Sequence, residues 1–262
     1  MLPGLLDDLD AESADLDARV APLDAREWSR VTPAPGWTVG HQIAHLAWTD
    51  QAALLAATDE VAFYAAVADS LGDDPEHYVD RGAAAFLAPP AELLERWRAG
   101  RAALAIALEN VPADQKLPWY GTRMSPASMA TARIMETWAH GQDVADALGV
   151  TRVPTVRLRH VVHLGVRTLG HSFLAHGREA PTEPVRLELV APDGDLWTYG
   201  PAEAANRVTG PALDFCLRVT QRRHRADLAL QAAGSVADEW LDLAQAFAGP
   251  PGAGRSPAAA VS

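Results

Sequence analysis

The residues with the clearest chemical potential are Glu136 and His140, which lie four positions apart in the stretch 129–148. This stretch is rich in helix formers, a Ser-Pro pair precedes it and a glycine follows it, so the pattern predicts a helix. Residues four apart on a helix project from one face about 6 Å from each other, and Asp143 continues that face. The neighbouring side chains are apolar, and an unpaired buried charge is costly. The sequence therefore predicts a divalent metal ion between this carboxylate and this imidazole.

A second predicted helix supplies the third ligand. His45 lies in its middle among apolar residues, where an imidazole needs a partner. Two histidines and one glutamate form a ligand set of catalytic zinc sites, which keep one position open for water or substrate. We therefore predict His45, Glu136 and His140 as metal ligands. His41, one turn earlier, is an alternative ligand, an orienting residue or a general base, and Asp143 is a candidate to orient His140 through its other ring nitrogen.

Simpler interpretations of the same residues stay open. A buried histidine paired with a glutamate is an ordinary core hydrogen bond, and iron(II) sites use the same ligand types. The chain has no P-loop, dinucleotide fingerprint or G-x-S-x-G elbow, and it lacks the H-E-x-x-H order of metalloproteases, which counts against peptide hydrolysis. Cys216 has apolar neighbours and is predicted to be a buried core thiol, not a nucleophile. Asp50 is interpreted as an exposed cap more readily than as an acid–base group.

The acidic balance of the chain argues against several classes of partner. A formal net charge of -12 over 262 residues is unsuited to a nucleic-acid groove and to docking on anionic lipid. With 48% hydrophobic residues the chain can bury a core, and it has no uninterrupted apolar run of about 18 residues that would span a membrane. Its N-terminus lacks the pattern of a signal peptide, and its one cysteine suits a reducing compartment. The predicted location is the cytoplasm.

The elements that must position these residues are mainly helices. Four long helices and a fifth, joined by loops, predict an antiparallel bundle over residues 1–178. The acidic residues of the first helix, which include Glu12 and Asp17, are predicted to form a solvated outer face. Residues 59–88 are less regular and predict a short helix and a long excursion, and residues 111–121 predict a loop. The predicted long helices cover residues 3–29, 37–57, 90–110, 129–148 and 155–176.

A smaller α+β domain is predicted over residues 179–250. Residues 185–191 alternate apolar and polar side chains, which is typical of a strand, and Asp193-Gly194 is a turn dipeptide. Residues 196–199 would form a second, antiparallel strand after this turn, so the pattern predicts a β-hairpin. The Gly- and Pro-rich residues 251–262 predict a disordered tail. The expected fold class is therefore mainly α with a smaller α+β domain. The other predicted elements of that domain are a helix at 211–221, a strand at 227–231 and a helix at 235–247.

Several stretches resemble a known family. Gly36-Trp-Thr-Val with Ala44-His-Leu, and the run from Glu136 to Gly149 (ETWAHGQDVADALG), are similar to the mycothiol-dependent maleylpyruvate isomerase family, which belongs to the DinB-like metal-binding four-helix bundles. The chain resembles more closely a subfamily catalogued as metal-binding or maleylpyruvate-isomerase-like proteins. Further motifs of that subfamily are PWYG at 118–121 and the segment from Asp214 to His224, and the resemblance extends from Leu5 to Gly252.

The resemblance implies a specific site. The bundle would hold one ion, expected to be zinc, between His45, Glu136 and His140, and a small sterol-carrier-like α/β domain would follow it. An arginine of the smaller domain matters for activity in that family, and Arg222 is the matching position. Two departures from the isomerases are Gln221 before this arginine, where they tend to have glycine, and the insertion around residues 59–88.

The expected function is that of a metal-dependent isomerase or S-transferase. A small thiol, mycothiol by family resemblance, would be held as a metal-bound thiolate and would attack an electrophilic small molecule. Arg222 would bind a substrate or cofactor carboxylate, and His41 or Asp143 would move a proton. The alternatives are a thiol-independent metal enzyme of hydrolysis, elimination or cyclisation, and a non-catalytic, metal-stapled binding module. The expected assembly is a monomer or a homodimer.

Overall fold

The computed structural model describes residues 2–72, 74, 76–247, 249, 251, 252 and 254–258. It divides the chain into two compact units, Met1–Arg152 and Val153–Ser262. Each unit is built around its own set of packed elements. Within the described residues, no helix is both long enough and apolar enough to cross a membrane.

The first unit is a helical bundle, as the sequence predicts. The long helix α3 packs against α6 and α7, and α1 packs against α7, so α3 and α7 lie side by side in the interior of the bundle. Its helices are α1 (Leu2–Val20), α2 (Ala25–Trp28), α3 (Val39–Thr58), α4 (Glu60–Leu71), α5 (Tyr78–Ala85), α6 (Pro90–Asn110) and α7 (Pro126–Leu148), and its strands are β1 (Leu117–Trp119) and β2 (Thr122–Met124).

Local sequence signals fix the ends of the two central helices. Thr38 caps α3 and forms a reciprocal capping box with His41, three positions into the helix. Ser125 caps α7, with a proline in its first turn, and Gly149 ends the helix in the left-handed conformation at φ 70°. The predicted Ser-Pro start and glycine end of the central helix are therefore confirmed. Because the caps set where each helix begins, they also set which side chains face the core.

Two of the acidic residues predicted to be solvated are buried instead. Glu12 is 2% exposed and its Oε1 accepts a 2.5 Å hydrogen bond from Arg152, while Asp17 is 8% exposed and accepts bonds from Arg98 and Arg101. The hydrogen bond from Arg98 is the main cause that holds the pKa of Asp17 below its usual value. The prediction of a wholly solvated acidic face was wrong, because buried carboxylates can be paired with distant arginines.

Asp50 is likewise buried, where the sequence suggested an exposed cap. Its Oδ1 accepts a 2.7 Å bond from Arg133 Nε, and its Oδ2 accepts a 3.2 Å bond from the indole N–H of Trp97. Arg133 is 1% exposed and Asp50 is 4% exposed. This ion pair ties α3 to α7 one turn away from Glu136, so it is a structural contact of the bundle interior.

Residues 59–88 form two helices, α4 and α5, rather than one short helix and an excursion. Residues 73 and 75 lie outside the described residues. Arg81 of α5 joins the two helices, because its guanidinium donates to the carbonyl oxygens of Ser70 and Leu71 at the end of α4. The predicted loop at 111–121 was also incomplete, since Leu117 pairs with Met124 in the short β1–β2 hairpin.

The second unit contains a four-stranded sheet in the order β4-β3-β5-β6. The predicted hairpin is confirmed as the antiparallel pair β3–β4, and β5 adds to β3 in parallel, a strand that the sequence analysis missed. The predicted strand at 227–231 was wrong: residues 225–227 form a 3-10 turn, and the strand follows it. Its elements are α8 (Leu158–Arg167), α9 (Leu169–Ala175), β3 (Val185–Val190), β4 (Leu196–Tyr199), β5 (Asn206–Pro211), α10 (Ala212–Val219), β6 (Gln231–Ala233) and α11 (Ser235–Leu243).

The boundary between the two units follows Arg152, whereas the predicted boundary follows residue 178. The predicted helix 155–176 is interrupted at Thr168 and gives α8 and α9, which pack with α10 and α11 of the second unit. Gly165 of α8 allows this approach, because a Cβ there would lie 2.8 Å from the Phe215 ring. Of the predicted tail 251–262, residues 253 and 259–262 lie outside the described residues, and the Ala258 N–H donates to the carboxylate of Asp227.

Candidate metal centre

The three predicted ligands converge between α3 and α7. His45 Nε2 lies 3.4 Å and His140 Nε2 lies 3.2 Å from the same oxygen, Oε2 of Glu136. One ligand atom from each residue lies within 4.8 Å of the other two. The Glu136 side chain is 21% exposed and the histidines are more deeply buried, so the cluster opens to one side. Two imidazoles and one carboxylate in this arrangement match the ligand set of an open zinc site.

The electrostatics of Glu136 favour its charged form. Burial alone raises the pKa of this carboxyl, but the hydrogen bonds and charges of His140 and His45 outweigh burial and hold the pKa well below its usual value. A carboxylate, not a carboxylic acid, therefore faces the two imidazoles near neutral pH. This is the protonation state that a metal ligand requires.

A chain of hydrogen bonds fixes the tautomer of His140. The Thr32 hydroxyl donates to the Trp37 carbonyl oxygen at 3.0 Å, so it accepts from the Gln42 amide N–H at 2.9 Å. The amide oxygen of Gln42 consequently faces His140 Nδ1, at 2.5 Å, and Nδ1 must carry the proton. In the neutral ring Nε2 is then the nitrogen that can bind a cation, and without a cation a second proton on Nε2 makes the hydrogen bond to Glu136 Oε2 that lowers the pKa of that carboxyl. Gln42 therefore orients His140 through its other ring nitrogen, and the same role predicted for Asp143 stays a prediction.

The His45 ring is oriented differently from the ring of His140. Its Nδ1 is buried and has no hydrogen-bond partner, so no hydrogen bond to that nitrogen selects its tautomer. Aromatic contacts confine the ring instead: its centroid lies 4.4 Å from the ring of His140, 5.4 Å from Trp37 and 5.8 Å from Trp48. A cation bound at Nε2 would place the proton on Nδ1 and give this imidazole a defined state.

Trp37 covers the two histidines from the loop before α3. Its indole stacks on His140 with ring centroids 5.9 Å apart and an interplanar angle of 20°, and its Nε1 donates to Asp80 of α5 at 2.7 Å. Trp37, Gln42 and Thr32 are site residues that sequence reasoning missed. A usable signal existed for Gln42, since it lies three positions before His45 and therefore near the same face of the predicted helix.

His41 lies near the centre but outside the ligand cluster. In the part of the chain that the structure describes, the only group of potential ligands is His45, Glu136 and His140. His41 Nδ1 accepts from the Thr38 N–H at 3.3 Å and lies 2.8 Å from the Thr38 hydroxyl, which places the proton of the neutral ring on Nε2. Burial lowers the pKa of His41, although the charge of Asp80 opposes the effect. In this tautomer His41 Nε2 is a hydrogen-bond donor, and the predicted role of His41 as a general base stays a prediction.

The remaining predicted site residues lie elsewhere. Asp143 is buried in α7, three positions after His140. Arg222 belongs to the second unit, in the turn after α10, where its Nη1 donates to the Thr220 carbonyl oxygen and the preceding Gln221 has a φ of 58°. Functional roles for Asp143 and Arg222 stay predictions. Cys216 is buried and burial raises its thiol pKa well above the usual value, so the prediction of a core thiol is confirmed.

Residues 9–145, more than half of the chain, match the family profile described as the mycothiol maleylpyruvate isomerase N-terminal domain. The chain belongs to this family. The matched segment contains the first unit almost entirely, including all three candidate ligands. Residues 181–232, in the second unit, match a further profile described as wyosine base formation.

The chain is also similar to two uncharacterised relatives and to two solved structures. Uncharacterised proteins from two strains of Mycobacterium tuberculosis are each 55% identical to this member of the family over 249 residues, covering 95% of it and 96% of their own length. Crystal structures of the mycothiol-dependent maleylpyruvate isomerase and of its histidine-to-alanine mutant match with TM-scores of 0.58 and 0.59 at 17% identity, over 88% of this chain and 92% of theirs. At that identity the likeness concerns the fold, and it confirms a helical bundle with a small α/β domain.

Proposed function

We propose that this family member is a metal-dependent enzyme that uses zinc at His45, Glu136 and His140 to activate a small thiol for attack on an electrophilic small molecule. The observation that carries the proposal is the convergence of three ligand atoms within 4.8 Å, with one imidazole already held in the tautomer that coordination needs. The thiol is taken to be mycothiol, since the family description and both solved structures name a mycothiol-dependent isomerase.

The donor set fits a zinc ion. Two imidazoles and a carboxylate are common catalytic zinc ligands, and the carbonyl of Gln42 supplies the outer hydrogen bond that ligating histidines usually make. The partly exposed side of Glu136 leaves room for a fourth, exchangeable position. When bound, zinc supplies Lewis acidity that converts a coordinating thiol to its thiolate near neutral pH.

The protein residues around the cluster have separate tasks in this proposal. Trp37 covers both histidines and limits the access of water from its side. His41 offers its Nε2 proton as a hydrogen bond to a substrate oxygen, and Asp143 accepts or returns a proton. Arg222, by analogy with the family, binds a carboxylate of the substrate or of the thiol with two parallel hydrogen bonds.

Metal analysis and a thiol-dependent assay test the proposal together. The purified protein is expected to contain about one zinc per chain, and His45→Ala and Glu136→Gln should each lose it, whereas His77→Ala, a change at an exposed histidine of the same unit, should retain it. Conjugation or isomerisation of an electrophile with mycothiol should stop when zinc is removed by a chelator and return when zinc is added. Zinc binding without any dependence on a thiol would favour hydrolysis, elimination or cyclisation instead. A fourth protein ligand on the ion would favour a binding module.

A further inference from the structure

A second cavity lies next to the metal centre in the first unit. It has a volume of about 380 Å³, at the small end of the range for small-molecule sites. We call it the α4–α5 pocket, because most of its lining comes from these two helices and their flanks. Its lining includes Trp48, Ala66, Ser70, Arg81, Gly82 and Tyr120.

Two polar side chains of this wall, those of Arg81 and Tyr120, already have hydrogen-bond partners. The Arg81 guanidinium donates to the carbonyl oxygens of Ser70, Leu71 and Asp74, which leaves it poorly placed to bind an anion. The Tyr120 hydroxyl pairs with the side chain of Ser70, and burial, with the nearby phenol of a second tyrosine, raises the pKa of Tyr120 to about 12. Tyr120 is therefore uncharged near neutral pH, and the rest of the lining is mainly apolar, with Gln51 and Asp69 as its further polar side chains. A mainly apolar lining gains free energy from an apolar occupant, whereas a charged occupant would lose its hydration there.

The pocket and the metal centre share a wall. Trp48 lines the pocket, and its ring lies 5.8 Å from the ring of His45 in an edge-to-face contact. Tyr78 of α5 packs on Trp48 at 6.2 Å and on Tyr120 at 5.7 Å, so aromatic rings continue from the metal ligand to the pocket. Gly82 lets α5 approach, because a Cβ there would lie 2.6 Å from the indole of Trp48.

We propose that the α4–α5 pocket binds an uncharged aromatic ring or branched alkyl group, and that this group is the apolar part of the electrophile that reacts at the metal centre. The second half of the statement rests on the proposed function, whereas the first half rests on the pocket alone. The pocket is formed largely by residues 59–88.

Calorimetric titration with two unreactive probes tests the inference. N-phenylsuccinimide and N-methylsuccinimide share one polar head and differ in the apolar group, and the phenyl compound is expected to bind the zinc-loaded protein at least about tenfold more tightly. Ala66→Trp should fill the pocket and remove this preference. Ala65→Trp changes the neighbouring exposed alanine of α4, which does not line the pocket, and should retain the preference. Thermal unfolding of both variants confirms that each is folded.

The outcomes separate this inference from the proposed function. Equal affinities for the two probes, or a phenyl preference that survives in the folded Ala66→Trp protein, would overturn the pocket assignment even when zinc and thiol activity are present. A phenyl preference in the wild-type protein and in Ala65→Trp, lost in Ala66→Trp, supports the pocket even if the chain fails to bind zinc. An N-phenyl electrophile turned over no faster than its N-methyl analogue would overturn the link between pocket and reaction.

Discussion

The hydrogen bond from His140 to Gln42 should control the metal affinity of this protein. Gln42 is fully buried, its Oε1 lies 2.5 Å from His140 Nδ1, and its N–H group is fixed by Thr32. In Gln42→Leu the Nδ1 proton loses its acceptor, and an unpaired buried donor costs about 1–3 kcal/mol. In the metal-free protein the His140 proton can move from Nδ1 to Nε2, which removes the unpaired donor. In the metal-bound protein this is not possible, because the ion occupies Nε2. Outer-shell changes of this kind lower metal affinity about 10–100-fold, or about 1.4–2.7 kcal/mol.

Competition for zinc against a chromophoric chelator at pH 7 measures this affinity. Gln42→Glu is a second informative change, because its carboxylate also accepts from Nδ1 and should keep the affinity near or above that of the wild-type protein. Gln142→Leu is the matched control, since Gln142 is a buried amide of α7 that bonds Asp146 and should leave zinc binding unchanged. The reasoning is refuted if Gln42→Leu binds zinc as tightly as Gln142→Leu, with both proteins folded by circular dichroism.

Three further results are expected. Gly82→Ala should lower the free energy of unfolding by about 1–3 kcal/mol through overpacking against an indole, whereas Gly100→Ala, which meets nothing within 4 Å, should raise it by about 0.5–1 kcal/mol in urea titrations. Asp50→Ala leaves a guanidinium buried without its carboxylate and should cost about 3–5 kcal/mol by the same measurement; a loss below about 1 kcal/mol would contradict a buried pair. NMR titration should place the pKa of His41 below 6.5, because burial lowers it. The pKa of His77 should lie above 6.5, because the hydrogen bond to Asp74 raises it. The stability contributed by His41 is accordingly present above pH 6.5 and is lost as the pH falls.

Local patterns were sufficient for the long helices α3, α6 and α7 and for placing two of the three candidate ligands together. Glu136 and His140 occur on one predicted helix, so the 3.6-residue period alone brings them together. His45 required a further inference, because it is 91 positions from Glu136 and only the packing of α3 on α7 joins them. The sequence analysis chose His45 because of its apolar setting and the need for a third ligand, and the resemblance to the family implied the same set.

The errors share one physical cause, which is contact between residues distant in sequence. Glu12 was expected in solvent because its partner, Arg152, is 140 positions away, and Gln42 was overlooked because His140 is 98 positions away. The strand β5 was missed for the same reason: its Gly210-Pro211 end suggests a turn, and its pairing with β3 is parallel and separated by a crossover. Composition and periodicity show which face of a helix or strand is apolar, but they do not show which distant residue a buried polar side chain contacts.

The position of α4 and α5 has an evolutionary consequence. These helices make their main contacts with α3, with each other and with β1, and they are encoded as one uninterrupted stretch between the two ligand-bearing helices. A gene could therefore acquire, lose or exchange this stretch in a single recombination event while the codons for His45, Glu136 and His140 stay untouched. Relatives that keep these three residues would then differ in substrate preference through this one segment. Chimaeras that exchange residues 59–88 between relatives would reproduce such a change in the laboratory.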